Sequence, residues 1–429
     1  MSQQSLEPTG KLAPQPWMTA PQTRCVFAAL EADGKQARFV GGCVRDAVFG
    51  LAVKDIDIAT PEPPDRVMQL LEQAAIRAIP TGIDHGTITA VIDGWHFEVT
   101  TLRVDMENYG RRAVVAFTDD WQADALRRDF TINTLSCTLE GDIYDPLNGM
   151  EDLAQRWVHF VGIAQDRIEE DILRLLRFFR FQATFGKTYV DRDALAACRL
   201  LAPRLKELSA ERIQGELFRI LEAPNPADTL IIMNGERILE HVLPEAVNFG
   251  RLRMIAWLET TAIKVDSVAP DRLRRLAASL DDDDLGHGAL AQRLRLSNKQ
   301  TMQLATMTDG KYKPHPQMDK LERSKALFDL QADGFRDLVL LNWAQEMSLE
   351  PKRNHKRTEE WLTLIDAADT WHQPVFPVNG RDAMDRGLQH GPAVGQALDA
   401  VETWWSHDGF KANRDQCLAK LEDVIEGMT

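Results

Sequence analysis

Cysteine is scarce in this sequence, and its positions build no framework. Five cysteines are spread over 429 residues, their number is odd, and no two stand in a CxxC spacing. Disulfide scaffolds and structural zinc sites need paired or clustered cysteines, so the sequence argues against both. A reducing cytoplasm is the compartment that this pattern favours.

Long hydrophobic runs are also missing. No stretch approaches the ~18 apolar residues that a membrane span needs. The N-terminal sequence MSQQSLEPTGKLAPQPW is polar and contains proline, without the apolar region of a secretion signal. We therefore expect a soluble protein that is neither secreted nor embedded in a membrane. Because 44% of the residues are hydrophobic, the chain can bury more than one core, and roughly two to four domains are expected.

Positive charge is in short supply. The 65 Asp and Glu residues exceed the 50 Lys and Arg residues, which gives a formal net charge of −15. The overall field of such a chain does not hold nucleic acid, so no DNA partner is expected and contact with RNA requires local basic patches. Candidate patches, equally compatible with solvated helix faces, are Lys311, Lys313, His315, Lys320, Arg323, Lys325 and the segment KRNHKR at 352–357.

Helix and strand patterns alternate over about the first 150 residues. Apolar spacing predicts helices at 21–32, 44–49 and 64–75, strands at 37–40 and 55–59, and a hairpin formed by GTITAVID and WHFEVTTL around Asp93-Gly94. Helical patterns then take over, at 166–185, 208–222, 269–280, 288–308, 320–347, 356–369 and 393–427. The predicted fold class is α+β, a mixed β-sheet head with helices followed by an all-α remainder.

Two aspartates separated by one residue stand on a predicted strand. Because side chains alternate along a strand, Asp55 and Asp57 share one face while Ile56 and Ile58 point to the core. Hard divalent cations such as Mg²⁺ prefer carboxylate oxygens and leave part of their shell to water and substrate phosphates. Glu98, on the second hairpin arm, is a candidate third carboxylate. Solvated surface acids are the competing interpretation.

A glycine turn, GGCVRD at 41–46, comes shortly before the aspartate pair. Gly41 and Gly42 lack a Cβ, so a phosphate can approach the backbone closely at the start of the next helix. Arg45 is a candidate partner for a triphosphate. An ordinary tight turn, with Arg45 paired to Asp46 on the surface, accounts for the same residues.

The segment LRRDFTINTL at 126–135 adds further polar candidates. Arg127 and Arg128 are placed either to meet phosphates or to pair with Asp129 at an ordinary helix end. Asn133 is suited to orient a sugar hydroxyl or a loop. The residues alone leave these alternatives open.

The segment EEDILRLLRFFRF places one acid and three arginines at spacings of three, in a sloping band on one predicted helix. These residues are Asp171, Arg174, Arg177 and Arg180. A guanidinium is a planar set of donors and a carboxylate accepts from an exocyclic amine, so such a band can read a nucleobase edge. Ordinary surface ion pairs are the alternative.

Taken in order, these motifs resemble one family. GGCVRD with KDIDIAT, then FEVTTLR, RRDFTINTL, YDPLNGMEDL and EEDILRLLRFFRF follow the order and spacing of the class II tRNA nucleotidyltransferases, the CCA-adding enzymes, and of their bacterial relatives, the poly(A) polymerases. The resemblance covers residues 24–220 strongly. A later segment, 376–405, is similar to the tail of CCA enzymes and favours tRNA as the substrate; its matching residues are Gly380, Asp382, Gly387, Gly391, Pro392 and Gly395.

The resemblance implies roles for the candidate residues. Asp55 and Asp57 would hold Mg²⁺, with Glu98 as a further catalytic carboxylate, and the glycine turn with Arg45 would bind the incoming triphosphate. Asp171 and Arg174 would act as a protein template that pairs with cytosine or adenine. The residues implied to hold phosphates are Arg177, Arg180 and one or both of Arg127 and Arg128, with Asp129 and Asn133 also in the nucleotide site.

The implied reaction is template-independent addition of C, C and A to the 3′ end of tRNA. The 3′-hydroxyl attacks the α-phosphate of CTP or ATP, and pyrophosphate leaves. A poly(A) polymerase, an enzyme that adds only CC or only A, and a non-catalytic RNA-binding relative are the alternatives. The partners expected are tRNA and nucleoside triphosphates, and the protein is expected to be a monomer or a homodimer.

The resemblance also implies a domain order. It comprises an irregular N-terminal tail at 1–22, a catalytic head at 23–150, a neck at 151–222, a helical body at 223–310 and a helical tail for tRNA docking at 311–429. A loop of uncertain role is expected at 107–121. The acidic run at 281–284 is expected to be a linker or an exposed helix end.

Overall fold

The computed structural model describes residues 7–107, 114–187, 189–281, 287–350 and 355–428. The chain divides into two compact units. The first comprises Met1–Ala223 and Ile231–Leu243, and the second comprises Pro224–Leu230 and Pro244–Thr429. Among the helices described, none combines the length and the apolar character that a bilayer crossing needs.

The first unit is built on a mixed eight-stranded sheet. Its strands are β1 (Gly10–Lys11), β2 (Arg38–Val40), β3 (Ile56–Thr60), β4 (Arg77–Gly82), β5 (Thr87–Ile92), β6 (Trp95–Thr101), β9 (Ser136–Cys137) and β10 (Asp142–Tyr144). Between β6 and β9, the chain forms a separate two-stranded ribbon of β7 (Arg103–Glu107) and β8 (Val114–Phe117). The order is β1-β10-β9-β2-β3-β6-β5-β4. β3 pairs with β6 in parallel, and the other neighbours pair antiparallel.

Ten helices of the first unit surround or follow this sheet in the described part of the chain. They are α1 (Pro16–Thr19), α2 (Pro21–Leu30), α3 (Gly42–Phe49), α4 (Pro64–Gln73), α5 (Trp121–Leu126), α6 (Gly149–Gln155), α7 (Ala164–Glu170), α8 (Leu173–Phe185), α9 (Arg192–Leu201) and α10 (Ala210–Glu222). A short 3₁₀ turn at Thr131–Asn133 lies between α5 and β9. α11 (Pro226–Gly235) has residues in both units.

The second unit is helical throughout its described residues. It contains α12 (Phe249–Trp257), α13 (Arg272–Ser279), α14 (His287–Arg293), α15 (Asn298–Thr308), α16 (Lys320–Leu349), α17 (His355–Asp369), α18 (Gly380–Met384), α19 (Pro392–His407) and α20 (Arg414–Glu426). The predicted α+β class, with a sheet-containing head and a helical remainder, is confirmed.

Strand alternation decides which face of the sheet is apolar. Ile58 is fully buried on β3, and Phe97 and Val99 are buried on β6. Phe39 of β2 packs against Phe27 of α2, with ring centroids 4.5 Å apart. The opposite face at the same strand positions is therefore available for polar side chains.

Four predicted helices are interrupted. The segment 166–185 breaks between α7 and α8, 288–308 breaks between α14 and α15, and 393–427 breaks between α19 and α20. The segment 320–347 is kinked within α16, where Gln331 has the non-helical angles φ 61° and ψ 169°. α15 and α20 each begin with a capping box, at Ser297 and Asn413. At these two places the prediction of an unbroken helix was wrong because the cap starts a new helix in the middle of a run with continuous helical composition.

The structure also differs from the sequence predictions at the N-terminal segment and at the expected loop. Within the segment expected to be irregular, residues 10–11 form β1 against β10 and residues 16–19 form α1. Part of the expected loop at 107–121 is the strand β8. Residues 1–6, 108–113, 282–286 and 351–354 lie outside the described part of the chain, and they include most of the acidic run and part of KRNHKR.

Gly149 allows two backbone segments of the first unit to approach closely. A Cβ at this position would clash with the carbonyl group of Thr131, in the 3₁₀ turn. The Asp145 carboxylate accepts hydrogen bonds from the amides of Gly149 and Met150, both at 2.8 Å, which fixes the start of α6 against that turn.

We predict that Gly149→Ala lowers the free energy of unfolding by about 1–3 kcal/mol, because the added methyl group can be accommodated only by moving backbone. The matched control is Gly215→Ala on α10, where a Cβ meets nothing within 4 Å. Removing a helical glycine there should stabilise the protein by about 0.5–1 kcal/mol. Urea unfolding followed by circular dichroism compares the two variants, and equal effects would contradict the close approach.

Candidate active site

The parallel pairing of β3 with β6 brings two acidic residues together. In its register Asp57 is the partner of Glu98. Directly paired residues on neighbouring strands project to the same face, so both carboxylates lie opposite the buried Phe97 and Val99. Asp55, at the entrance to β3, is exposed, and Asp57 is partly buried.

The electrostatic environment of this face disfavours the charged form of the Asp57 carboxyl group. Burial, Glu98 and Asp55 raise the pKa of Asp57 to about 6, although Arg128 and Arg45 act in the opposite direction. A divalent cation would relieve this repulsion, and carboxylate oxygens are the donors that Mg²⁺ prefers. No group of three or more possible ligands is assembled within the described residues. A metal here would therefore complete its shell with water and phosphate.

The glycine turn connects β2 to α3 directly beside the acidic face. Gly41 has φ 66°, a left-handed conformation that glycine adopts without strain, and a Cβ there would lie 3.1 Å from Arg128 Nη1. The buried Cys43 follows in the first turn of α3 and directs its thiol towards the Val40 carbonyl oxygen at 3.3 Å.

Arg45 of α3 is partly buried and has two polar side-chain partners. Its guanidinium pairs with Asp46 at 2.7 Å, which is the ion pair expected if the segment is an ordinary tight turn. Nη1 also donates to Asn133 Oδ1 at 2.5 Å. Asn133 Nδ2 in turn donates to Asp129 Oδ1 at 2.8 Å, and Arg177 of α8 donates from Nε to Asp129 Oδ2 at 2.6 Å. A continuous polar chain therefore links α3, the 3₁₀ turn and α8.

Arg127 and Arg128 have a different partner from the one that the sequence suggested. Both pair with Asp124, at 2.7 and 3.0 Å, and not with Asp129. The reason is that α5 places Asp124 three and four residues before the arginines, on the same helical face. Arg128 Nη1 also donates to the Asn133 carbonyl oxygen at 3.2 Å. Asp124, which the motif reading missed, is 3% exposed.

Asp171 does not share a helix with the arginines that follow it. Its backbone is extended, with φ −149° and ψ 108°, and its carboxylate accepts from the Leu173 amide at 3.1 Å, so it caps the start of α8. Arg212 Nη2 of α10 contacts both of its oxygens, at 3.1 and 2.9 Å. Arg174 is on α8 and pairs with Glu170 of α7. The predicted single helical band is corrected accordingly.

Arg180 of α8 is partly buried. It pairs with the buried Glu216 of α10 at 3.1 Å. Glu216 is 36 residues away in sequence, and no local pattern connects the two. Glu216 and Arg212 are partners that motif spacing could not have identified, whereas Asp124 stands at the helical spacing from Arg127 and Arg128 that predicts an ion pair.

Comparisons with known proteins agree with this geometry. A family model described as "Poly A polymerase head domain" matches residues 37–159, and one described as "Probable RNA and SrmB- binding site of polymerase A" matches residues 190–249. The CCA tRNA nucleotidyltransferase 1, mitochondrial, of Danio rerio is 32% identical over 401 residues, covering 90% of this chain and 87% of the relative. The chain therefore belongs to the family of CCA tRNA nucleotidyltransferases and poly(A) polymerases.

Bacterial members of this family are equally similar. The CCA-adding enzyme of Streptococcus pneumoniae is 34% identical over 416 residues, covering 93% of this chain and 96% of the relative. The crystal structure of the Bacillus stearothermophilus CCA-adding enzyme in complex with CTP superposes with a TM-score of 0.74 at 25% identity, covering 96% of this chain and 99% of that one. The resemblance drawn from the motifs is confirmed over nearly the whole chain.

We predict that Asp124→Asn lowers the free energy of unfolding by about 3 kcal/mol at pH 7, because two largely buried guanidinium groups lose their carboxylate. Burial alone would raise the pKa of Asp124, but Arg128 and Arg127 hold it below its ordinary value. A carboxyl group with a lowered folded pKa stabilises the protein above its ordinary pKa and loses that contribution as pH falls through the folded value.

The difference in the free energy of unfolding between the unmodified protein and Asp124→Asn should therefore keep its pH 7 value down to pH ~5. It should become smaller below pH ~4. Urea unfolding at stepped pH measures it. Asp142→Asn is the control, since its pair with Lys11 is exposed and should contribute less than about 1 kcal/mol. A difference that does not change with pH would contradict the ion-pair explanation.

Proposed function

We propose that this protein adds C, C and A to the 3′ end of tRNA, with CTP and ATP as substrates and pyrophosphate as the product. The observation that carries the proposal is the in-register pairing of Asp57 with Glu98 beside the glycine turn and its arginines. The names of the relatives described above support tRNA as the acceptor. The CTP complex of the B. stearothermophilus enzyme supports a nucleoside triphosphate as the donor.

Asp55 and Asp57 are the proposed ligands of Mg²⁺, and Glu98 is the third carboxylate of the same face. Bound Mg²⁺ would supply Lewis-acid chemistry, in which it lowers the pKa of an attacking hydroxyl group and neutralises phosphate charge. The protein's own contribution is to hold these carboxyl groups on one face although burial, and then the charges of Glu98 and Asp55, raise the pKa of Asp57.

The triphosphate is proposed to lie against the glycine turn, with arginines around it. Gly41 and Gly42 offer open backbone at the start of α3. The proposed phosphate ligands are Arg45, Arg127, Arg128, Arg177 and Arg180, with Asp129 and Asn133 orienting them. Charge on the departing pyrophosphate is stabilised when these cations are already in place.

Base selection is assigned to Asp171 and Arg174. Cytosine and adenine each present an exocyclic amine that a carboxylate accepts, whereas uracil presents a carbonyl oxygen at that position. In the structure Arg212 occupies Asp171 and Glu170 occupies Arg174. Reading a base therefore requires each of these side chains to share or exchange its present partner.

The helical remainder is proposed to dock tRNA by contacts to its backbone. The functional parts are a head at 23–150, a neck at 151–222, a body at 223–310 and a tail at 311–429. Lys313 and Lys320 are exposed, while Lys311 pairs with Asp329 and Arg357 with Glu346. Contacts of this kind position structured RNA without reading its sequence.

The cytoplasm is our proposed compartment. All five cysteines are unpaired, which suits a reducing environment. Relatives with mitochondrial names belong to the same family, so family membership is compatible with either compartment. Fractionation of cells that express a tagged full-length chain tests the assignment, and recovery in an organelle would overturn it.

We expect a tRNA transcript that lacks its terminal CCA to grow by two residues with CTP alone and by three with CTP and ATP, followed by arrest. Denaturing gels with single-nucleotide resolution measure the products. Arrest after CC with both nucleotides, or A addition only to a transcript ending in CC, would identify a partial enzyme. Long A tails without CTP would identify a poly(A) polymerase. No product would overturn the proposal.

In the same assay Asp57→Asn should reduce the transfer rate by about a thousandfold or more, because a charged carboxylate beside the phosphates is replaced by a neutral amide. Asp93→Asn is the control. Asp93 is exposed in the hairpin turn with φ 48°, a conformation that asparagine accepts. Full activity of Asp57→Asn would show that the carboxylate pair is not catalytic.

Arg174→Ala should decrease the discrimination between CTP and UTP, measured as the ratio of their kcat/KM values, by about 10- to 100-fold, because a fixed donor array is lost. Arg199→Ala is the control, since its pair with Glu236 lies on the exposed surface of the same unit. Selectivity equal to that of the unmodified protein would remove Arg174 from the template role.

A further inference from the structure

Three guanidinium groups gather around one buried phenylalanine. The ring centroid of Phe181 lies 4.9 Å from the guanidinium carbon of Arg45, 5.5 Å from that of Arg177 and 4.3 Å from that of Arg180. Phe181 is 3% exposed and contacts Phe130 edge-on, with ring centroids 5.1 Å apart. Cations from two separate helices, α3 and α8, therefore converge on a single aromatic side chain.

This arrangement brings like charges together at a cost. Burial lowers the pKa of Arg180, Glu216 raises it, and Arg177, Arg219 and Arg45 lower it, so that the pKa is about 10. Without compensating contacts, side chains as flexible as arginine would turn away from one another. Their convergence therefore requires favourable contacts that offset the repulsion.

Each guanidinium also has a separate anchor. Arg45 is held by Asn133 and Asp46, Arg177 by Asp129, and Arg180 by Glu216. These anchors lie on α3, on the segment around the 3₁₀ turn and on α10, so each fixes one arginine and none fixes all three. Among the described residues, the ring of Phe181 is the contact that the three guanidinium groups share, and Arg45 also lies 4.7 Å from the ring centroid of Phe185.

An aromatic ring attracts cations through the negative potential of its face. We propose that Phe181 is a positioning residue for the triphosphate, which holds Arg45, Arg177 and Arg180 convergent before a nucleotide arrives. The inference rests on the proposed function for the identity of the ligand. A site whose guanidinium groups are already ordered binds an anion at a smaller entropic cost than a site whose guanidinium groups become ordered only on binding.

The test replaces Phe181 with phenylalanine carrying one, two or three ring fluorines, in the full-length protein. Fluorine withdraws the negative potential from the ring face and changes the packed shape little. The dissociation constant of Mg²⁺-pyrophosphate, from calorimetry, and the KM for CTP should rise stepwise with fluorine number, to about tenfold for three. kcat should change less than twofold, because the arginines are in place once the nucleotide is bound.

Phe178 is the matched control on the same helix. It is fully buried and stacks with Phe160 and Phe130, and within the described residues its ring has no guanidinium contact. Its fluorinated series should leave both constants unchanged. A purely structural role for Phe181 would instead lower the melting temperature without a graded change in pyrophosphate affinity, and that result would overturn the proposal.

The two proposals fail in different ways. Pyrophosphate binding by calorimetry does not need tRNA, so the fluorine series reports on Phe181 even if no nucleotide is transferred. Transfer by the unmodified protein combined with a flat fluorine series would reject the role of Phe181 alone. If the unmodified protein transfers no nucleotide but the fluorine series changes pyrophosphate affinity stepwise, the proposed reaction is rejected and the role of Phe181 in phosphate binding is retained.

Discussion

The parallel pairing of β3 with β6 is the constraint on which the candidate site depends. A shift of one residue along either strand would move its acidic side chain to the apolar face. Such a shift is prevented because the same strands carry Ile58, Phe97 and Val99, whose burial is favourable in only one register. Hydrophobic burial on one side of the sheet thus fixes the spacing of the charges on the other.

The arginines around this face are neutralised before any substrate is present. Arg127 and Arg128 share Asp124, Arg177 is paired with Asp129, and Arg180 with Glu216. Burial of an isolated cation is costly, and pairing makes it tolerable. A phosphate that enters the site therefore competes with carboxylates that are already in position. The affinity for phosphate then depends on how well each arginine can bind the phosphate while it keeps its carboxylate partner.

Local patterns carried most of what the sequence could tell about the fold. The alternation in KDIDIAT correctly predicted that Ile56 and Ile58 of β3 are buried, because side chains on a strand alternate between its two faces. Helix ends were harder to predict. Asp171 continues the composition of its neighbours, yet its extended backbone and its hydrogen bond to the Leu173 amide separate α7 from α8.

Contacts between distant segments were beyond the reach of sequence patterns. The adjacency of Arg128 and Asp129 suggested an ion pair, yet the helix directs the arginine to Asp124 and leaves Asp129 to Arg177 of another helix. The partners Arg212 and Glu216 became visible only when α10 was seen packed beside α8. The family resemblance supplied roles for residues whose neighbours it could not name.

Cys43 has a chemical consequence of its own. Burial raises the pKa of its thiol to about 12, and the nearby Asp57 adds to the effect. The reactive form of cysteine is the thiolate, and this side chain remains protonated and shielded at neutral pH. Alkylating agents and peroxides should therefore modify the exposed Cys25 first, so that oxidative stress leaves the glycine turn chemically intact.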